Sequence, residues 1–153
     1  MPPMTDAPVA LIRATPADLP AFKRALQAAF ALAVADQPGA LDEGPIPPDS
    51  DLDTAMAAPG AITLHIVQDG EKVGGAVVRI DPRTHHNSLD LFYIVAGRHG
   101  HGLGRKAWAA IEALFPQSLT WETRTPYFEK RNIHFYVNVC GFRMALLHNV
   151  RRA

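Results

Sequence analysis

The feature that most constrains this chain is a glycine-rich segment at residues 99–105, which reads His-Gly-His-Gly-Leu-Gly-Arg. It follows an apolar run at residues 89–95 that predicts a buried strand, and an amphipathic helical pattern begins within it. Glycine lacks a Cβ atom and lets the backbone approach an anion closely, while the first turn of a helix presents unpaired N–H groups. The order strand, glycine turn, helix therefore predicts an α/β domain with a phosphate-binding site where the helix begins.

The glycine spacing excludes two common phosphate-binding loops. A dinucleotide fold needs Gly-x-Gly-x-x-Gly near the start of a βαβ unit, and counting from Gly100 and Gly102 the third glycine would fall at Arg105. A nucleoside-triphosphate loop needs Gly-Lys-Ser/Thr, which the sequence lacks. Arg98, Arg105 and Lys106 add cations beside the segment. A phosphate ligand of another class is therefore expected.

Residues 99–104 resemble the pyrophosphate loop of the GNAT superfamily of N-acetyltransferases, whose pattern is Gln/Arg-x-x-Gly-x-Gly/Ala. His99 stands where the family has glutamine or arginine, which changes one side-chain contact and leaves the backbone cradle intact. The alternative interpretation is a glycine turn that only ends the strand.

A second stretch, Asn132-Ile133-His134-Phe135-Tyr136, is followed by Cys140-Gly141-Phe142 and resembles the helix that carries the family's general-acid tyrosine. Tyr136 lies one residue farther from Gly141 than the family pattern has it. The family asparagine normally lies seven residues before the tyrosine, where this chain has Glu129, whereas Asn132 is four before it. One helical turn still places Asn132 and Tyr136 on the same face.

The resemblance implies a mixed, mostly antiparallel central sheet of about six strands flanked by helices, with a seventh strand short or missing. The chain, residues 1–153, is expected to form a single N-acetyltransferase domain, with 1–8 a flexible tail. Periodicity predicts strands at 9–13, 62–68, 73–80, 89–95, 119–124 and 142–147. The predicted helices are 15–35, 49–58, one from 103 that Pro116 ends, and one from 125 that Gly141 ends. Turns or loops are predicted at 37–48, 69–70 and 81–87.

The resemblance also implies acetyl-CoA as the co-substrate. Its diphosphate would lie against the backbone of the loop, to which these residues contribute: His99, Gly100, His101, Gly102, Leu103, Gly104 and Arg105. The pantetheine arm would bond the backbone of the preceding strand at Phe92, Tyr93 and Ile94, where an N–H can also stabilise the oxyanion. Asn132 completes the set of expected cofactor-binding residues.

Acetyl transfer to an amine needs a base, because only the neutral amine has the lone pair that attacks. Glu122 stands on a predicted strand where several family members carry a base glutamate. An ion pair with Arg124, or a solvated strand face, is an equally weighted interpretation of Glu122. Asp90 is the second candidate base, and the pair His85 and His86 is the third.

The leaving thiolate needs an acid, and Tyr136 fits because a phenol has a pKa near 10, modestly above that of a thiol, near 8.5. The alternative for Tyr136 is a core aromatic on the face shared with Ile133 and Cys140. Tyr127 and Tyr93 are weaker candidates for the acid.

The acceptor side of the site is expected near residues 36–53, which contain no lysine or arginine and hold six acids: Asp36, Asp42, Glu43, Asp49, Asp51 and Asp53. In the family this segment borders the acceptor pocket, so an acidic rim would attract a cationic amine, either a small molecule or a peptide N-terminus. A solvated loop explains the same acids equally well.

Composition excludes several other classes of function. Fifteen basic and fifteen acidic residues cancel, which argues against a nucleic-acid partner, and no apolar run is long enough for a membrane span. The single cysteine, Cys140, suits a reducing cytoplasm. The His85–His86 and His99–His101 pairs lack the companion ligands of a metal site, so no metal is expected. A homodimer is compatible with the resemblance, and a non-catalytic acyl-CoA sensor of the same fold is the alternative function.

Overall fold

A computed structural model of the chain describes residues 7–95, 98 and 102–123. The strands are β1 (Val9–Arg13), β2 (Ala61–Gln68), β3 (Glu71–Arg79), β4 (His86–Ile94) and β5 (Thr120–Thr123). The helices are α1 (Leu19–Ala33), α2 (Asp49–Ala57) and α3 (Leu103–Leu114). Every element predicted within these ranges is present. The predicted fourth helix and the strand at 142–147 lie outside the described residues.

The strands form one sheet in the order β1-β2-β3-β4-β5. The first three pairings are antiparallel, and β4 pairs with β5 in parallel. The β2–β3 hairpin turns at Asp69 and Gly70, which both have positive φ (54° and 77°), as the Asp-Gly pair predicts. The mixed, mostly antiparallel sheet flanked by helices is therefore confirmed.

Helices cover both faces of the sheet. On the α1 face, the side of the sheet covered by α1 and α2, the buried cluster comprises Phe22, Leu26, Ala29, Leu52, Val77 and Tyr93. On the α3 face, the opposite side, it comprises Leu64, Ala76, Val78, Leu89, Trp108 and Ile111. Buried β-branched and aromatic residues thus alternate between two apolar layers, which fixes which side chains of each strand face α1.

The glycine pair in the middle of β3 lets α1 approach the sheet closely. A Cβ atom on Gly75 would lie 2.3 Å from a ring carbon of Phe22 and 2.7 Å from a ring carbon of Tyr93. The rings of Phe22 and Tyr93 meet edge to face, with their centroids 5.4 Å apart. Gly75 therefore provides the space that brings an α1 aromatic onto β4.

The start of α1 follows the capping pattern that the sequence predicts. A 3₁₀ turn at Pro16–Asp18 precedes the helix, the backbone N–H of Thr15 donates to Asp18 Oδ2 at 2.9 Å, and the Thr15 side chain accepts the backbone N–H of Asp18. The α-helix proper begins at Leu19, later than predicted, because Thr15–Asp18 forms this tighter turn first.

The predicted turn at 81–87 is too long, because β4 begins at His86 and not at Leu89. Asp81 Oδ1 accepts the backbone N–H groups of Arg83 and Thr84, and His85 closes the turn at φ 60°. The carbonyl of His85 then accepts the N–H of Leu119 at 2.7 Å, which aligns β5 beside His86. Residues 86–88 have a polar sequence that resembles a turn, but pairing with β5 holds them as part of a strand.

Candidate active site

Strands β4 and β5 pair over four positions, from His86↔Thr120 to Leu89↔Thr123. Thr123 Oγ1 also donates to the carbonyl of Leu89 at 2.8 Å. Strand β4 continues along β3 as far as Ile94, while the described part of β5 ends at Thr123. The candidate site lies around this shared stretch.

A β-bulge at Asp90 interrupts β4 just past the shared stretch. Val77 of β3 pairs with Leu91 and Val78 pairs with Leu89, which leaves Asp90 as the extra residue. A bulge bends a strand and re-aims a side chain. The carboxylate of Asp90 accepts the Ser88 Oγ hydroxyl at 2.8 Å and Arg79 Nε at 3.0 Å.

Three polar residues form a row across neighbouring strands on the α1 face. Arg79 pairs with Ser88, and Ser88 pairs with Glu122. The chain neighbours of these residues (Val78, Leu89 and Trp121) belong to the packing on the α3 face. Because side chains alternate along a strand, Arg79, Ser88 and Glu122 all point to the opposite side, the α1 face.

A pocket of about 520 Å³ lies over this row. The end of α2 and the turn into β2 contribute one wall, at Pro59 and Gly60. The other lining residues come from the ends of β3, β4 and β5 and the turn between β3 and β4: Arg79, Ile80, Asp81, Pro82, His86, Asn87, Ser88, Thr120, Trp121 and Glu122. The pocket is thus a concave surface with both charged and apolar walls.

Two of the candidate bases, Glu122 and His86, line this pocket, whereas Asp90 and His85 do not. Glu122 is exposed and lines it, and so does His86, whose Nδ1 lies 2.7 Å from Thr120 Oγ1. Asp90 is engaged by Arg79 and Ser88, as described above. His85 instead has a structural role, because its carbonyl accepts the N–H groups of Leu119 and Thr120.

The sequence did not predict three of the pocket residues, Arg79, Ser88 and Thr120. The signal for these residues is the alternation of side chains along a strand. Each of them stands next to an apolar residue of the α3 face and therefore points toward α1. This signal can be used only when the strand register and the position of the bulge are known, because the bulge lets the side chains of both Asp90 and Leu91 lie on the α1 face.

Asn87 ties the rim of the pocket together. It is 3% exposed, its Oδ1 accepts the backbone N–H of Asp81 at 2.8 Å, and its Nδ2 donates to Ser118 Oγ at 2.7 Å. Ser118 Oγ donates in turn to the carbonyl of Phe115 at 2.8 Å. Hydrogen bonds from Arg83 and Thr84 lower the pKa of the Asp81 carboxyl group and keep it ionised. The β3–β4 turn and the α3–β5 connection are therefore held as one unit.

The proposed phosphate site lies at the start of α3. Gly102 has φ 69°, and a Cβ atom added there would meet nothing within 4 Å among the described residues. The first helical hydrogen bond runs from the N–H of Lys106 to the carbonyl of Gly102, so the N–H groups of the preceding turn point along the helix axis toward solvent. Leu103 is buried against Ile94, which leaves only its backbone for a ligand. An anion fits this helix start.

The cations beside the segment are not equivalent. Arg98 pairs with Glu71, and Lys106 Nζ donates to the carbonyl of Ala7 at 3.2 Å. Arg105 lies exposed on the first turn of α3. Gly104 lies on the same turn, and the other predicted loop residues, His99, Gly100 and His101, are outside the described residues.

The predicted pantetheine-binding residues turn their side chains into the core. Phe92 packs against the α3-face cluster and against a second buried cluster, which comprises Ile66, Val73, Ile94, Leu103 and Ala107. Tyr93 is buried on the α1 face, and burial raises the pKa of its phenol to about 12. Only the backbone of this stretch can therefore contact a ligand along the strand. Tyr127, Asn132 and Tyr136 lie outside the described residues.

The acidic segment is partly structural. Asp53 pairs with Lys23 at 2.8 Å, and Asp49 accepts Gln27 Nε2 at 2.7 Å, so these two acids of α2 fasten it to α1. The other four acids of the segment are exposed: Asp36, Asp42, Glu43 and Asp51.

Two further features bear on the excluded classes of function. Among the residues that the structure describes, no three histidine, cysteine, aspartate or glutamate side chains lie together as a metal site requires. None of the helices described is both long and apolar enough to cross a membrane.

Comparison with known proteins identifies the class to which this fold and pocket belong. The family model described as Acetyltransferase (GNAT) family matches residues 25–142, and the chain belongs to this family. The chain is 55% identical over 141 residues to "Uncharacterized protein YrkN" of Bacillus subtilis (strain 168). The aligned residues cover 92% of this chain and 76% of that protein.

Solved structures agree on the fold. The ribosomal-protein-S18-alanine N-acetyltransferase of Escherichia coli superposes with a TM-score of 0.67 at 16% identity, covering 90% of this chain and 79% of that one. The PaiA N-acetyltransferase of Thermoplasma acidophilum, in complex with coenzyme A, gives 0.65 at 10% identity, covering 90% and 91%. The resemblance inferred from the loop and the C-terminal motif is therefore confirmed at the level of family and fold.

Proposed function

We propose that this protein is an acetyl-CoA-dependent N-acetyltransferase that acts on a primary amine by direct attack within a ternary complex. The observation that carries the proposal is the arrangement of β4. A pocket with an exposed carboxylate, that of Glu122, lies over its first half, and the helix start that fits an anion follows its second half. Acetyl-CoA, when bound, supplies the acetyl thioester between these two places.

The diphosphate is assigned to the start of α3. Gly102 leaves room for close approach, and the N–H groups of the first turn carry the positive end of the helix dipole. Arg105 is exposed beside them and can add a charge-assisted hydrogen bond. The backbone of β4 at Phe92, Tyr93 and Ile94 is proposed to bond the pantetheine arm and to stabilise the oxyanion.

Glu122 is the proposed base. The amine reaches the site mostly protonated at neutral pH and must lose its proton before it attacks. Asp90 already accepts one hydroxyl and two guanidinium hydrogen bonds, so its carboxylate is poorly placed to receive a further proton. The Glu122 carboxylate is exposed in the pocket and can take the proton directly or through a water molecule.

Tyr136 is the proposed acid for the leaving thiolate, on the strength of the family motif. The competing Tyr93 is buried and has its pKa raised to about 12, which makes it a poorer proton donor to a thiolate. The Tyr136 assignment rests on the sequence alone.

The acceptor is a primary amine of a small molecule or a peptide. The Escherichia coli neighbour is named for an alanine of ribosomal protein S18, and a soil metagenomic aminoglycoside acetyltransferase was solved in complex with sisomicin. The exposed acids between residues 36 and 51 would attract the ammonium group of such an acceptor.

A screen of diverse amines with acetyl-CoA, read by thiol release, tests the proposal. We expect acetylation of at least one amine, with large losses of turnover in Glu122→Gln and Tyr136→Phe and unchanged acetyl-CoA binding by calorimetry. Normal turnover in both variants contradicts the assigned roles. Tight acetyl-CoA binding without transfer to any amine favours the non-catalytic sensor, and no binding to well-folded protein contradicts the proposal altogether.

A further inference from the structure

The row on the α1 face carries opposite charges at its two ends. Arg79 and Glu122 flank Ser88 across three strands, so their Cα atoms lie about 10 Å apart at the usual strand spacing. Both side chains border the pocket. Within residues 7–95, 98 and 102–123, Arg79 pairs with Asp90 and the Glu122 carboxylate has no ion-pair partner. The pocket therefore presents a cation and an anion to one ligand.

Asp90 holds one edge of the Arg79 guanidinium, and Arg79 also lines the pocket. Its Nε lies 3.0 Å from Asp90 Oδ2 and its Nη2 lies 3.4 Å from Oδ1, so the edge that includes Nη1 makes no contact with Asp90. The Ser88 hydroxyl holds the same carboxylate from a second direction at 2.8 Å. The Arg79 side chain is 48% exposed, so the remaining N–H groups of its planar fork can bind a carboxylate in two places.

The lining between and beside the two charges is mixed. Pro59 and Pro82 add apolar surface, His86, Ser88 and Thr120 add polar groups, and the Ile80 side chain packs on the α3 face. Asp81 also lines the pocket, but its Oδ1 already accepts two backbone N–H groups of its own turn. A ligand with a charged group of each sign and an apolar side chain matches these surroundings.

We propose that the acceptor is a free amino acid, whose ammonium group lies at Glu122 and whose carboxylate lies at the free edge of Arg79. This inference rests on the proposed N-acetyltransferase function and names its acceptor class. Glu122 takes one proton from the ammonium group, and the neutral amine then attacks the thioester carbonyl, which forms the C–N bond and breaks the C–S bond of acetyl-CoA. The nitrogen loses its second proton as the amide forms, the departing thiolate takes up one proton to become CoA thiol, and the other proton leaves Glu122 to solvent. A purely cationic acceptor would leave like charge facing Arg79, which disfavours its binding.

A matched set of acceptors tests the role of the carboxylate. Leucine, leucinamide and 3-methylbutylamine share a side chain and differ only in whether the carboxylate is present, masked or absent. We expect kcat/KM with acetyl-CoA to be at least tenfold higher for leucine than for the other two, mainly through a lower KM. The ratio should fall toward one in Arg79→Gln, with a partial loss in Arg79→Lys, which keeps the charge but not the fork.

Arg83→Gln is the control, because it removes an exposed arginine of the adjacent turn whose side chain does not line the pocket. It should keep the wild-type preference for leucine. Calorimetry of leucine binding in the presence of CoA gives a second readout that does not depend on turnover, and circular dichroism confirms that Arg79→Gln is folded.

The outcomes separate this inference from the proposed function. Equal kcat/KM for the three acceptors, or a leucine preference that survives in Arg79→Gln, overturns the inference and leaves the acetyltransferase proposal standing. Leucine binding that depends on Arg79 but leads to no transfer supports the inference and contradicts the enzyme. Absence of both leucine binding and leucine turnover overturns the inference.

Discussion

Arg79 of β3 donates from Nε to Oδ2 of Asp90 across 3.0 Å, and Asp90 is the extra residue of the β4 bulge. The contact depends on the bulge, because the bulge allows the side chains of both Asp90 and the following Leu91 to lie on the α1 face. Asp90 consequently orients Arg79 beside the pocket, whereas Glu122, the base that we propose, has no ion pair among the described residues. The surroundings of the two carboxylates therefore differ.

Replacing Glu122 by glutamine should lower kcat/KM about 100-fold or more at pH 7, the usual cost of removing a general base. The deficit should shrink as the pH rises toward 10, because a growing share of a simple primary amine is then neutral without help. The measurement is kcat/KM against pH for the wild type and the variant.

Asp90→Asn is the matched control for Glu122→Gln, since it makes the same change of charge one strand away. It should weaken the orientation of Arg79 and lower kcat/KM less, with no recovery at high pH. A deficit that recovers with pH in Asp90→Asn but not in Glu122→Gln would assign the base to Asp90 instead.

Gly102→Ala should weaken CoA binding at least tenfold. The substitution places a Cβ atom at φ 69° where no atom of the described residues lies within 4 Å and where the proposed diphosphate approaches the backbone, and it strains the residue by about 1–2 kcal/mol. Gly70→Ala is a close control, because Gly70 has φ 77° in the β2–β3 turn and a Cβ atom there would likewise meet no described atom within 4 Å.

Both glycine variants should lose similar free energy of unfolding in urea titrations, but only Gly102→Ala should raise the Kd for CoA measured by calorimetry. An unchanged Kd in Gly102→Ala would show that the diphosphate of CoA does not bind at the start of α3.

The sequence predicts local elements well and the site less completely. β1, the Asp69–Gly70 hairpin and α3 are read correctly because each depends on local periodicity or turn chemistry. The start of β4 at His86 and the position of Arg79 beside Ser88 depend on pairing with other strands, and the contact of Arg79 with Asp90 depends on the bulge. Neither the pairing nor the bulge can be located from the local sequence alone. The family motifs name the loop and Glu122 but not the row that Glu122 completes.

Asn87→Ala should destabilise the fold by about 1–3 kcal/mol, because it removes the acceptor of the Asp81 N–H and the donor to Ser118 Oγ, which then keeps only its bond to the carbonyl of Phe115. Ser118→Ala should cost less, since it spares the bond to Asp81. Urea titration of both variants checks the order. Equal stability of Asn87→Ala and wild type would show that the rim of the pocket does not depend on this side chain.

Gly75→Ala should cost about 1–3 kcal/mol through overpacking, because the new methyl group would overlap the rings of Phe22 and Tyr93. The cost should be smaller in a Phe22→Leu background, where one of the overlapping rings is absent. A double-mutant cycle on the free energy of unfolding measures this coupling. Additive effects would contradict a direct contact between β3 and α1 at this position.

Asp18 should make stability depend on pH in the acidic range. The backbone N–H of Thr15, followed by the His65 ring at 3.3 Å, lowers the pKa of Asp18 from 3.8 to about 2. A carboxyl group whose pKa is lower in the folded state contributes stability above its unfolded pKa and loses it as the pH falls. The contribution of Asp18 is therefore present above pH 3.8 and is lost progressively toward pH 2.

Urea midpoints at pH 5 and pH 3 measure this contribution. The midpoint should fall less between the two values in Asp18→Asn than in the wild type, although some dependence remains because the pKa of Asp81 is lowered as well. Asp69→Asn is the control, because asparagine tolerates the positive φ of the hairpin turn, and it should keep the wild-type dependence. Identical falls in Asp18→Asn and wild type would show that the contacts of Asp18 with Thr15 and His65 contribute nothing to stability.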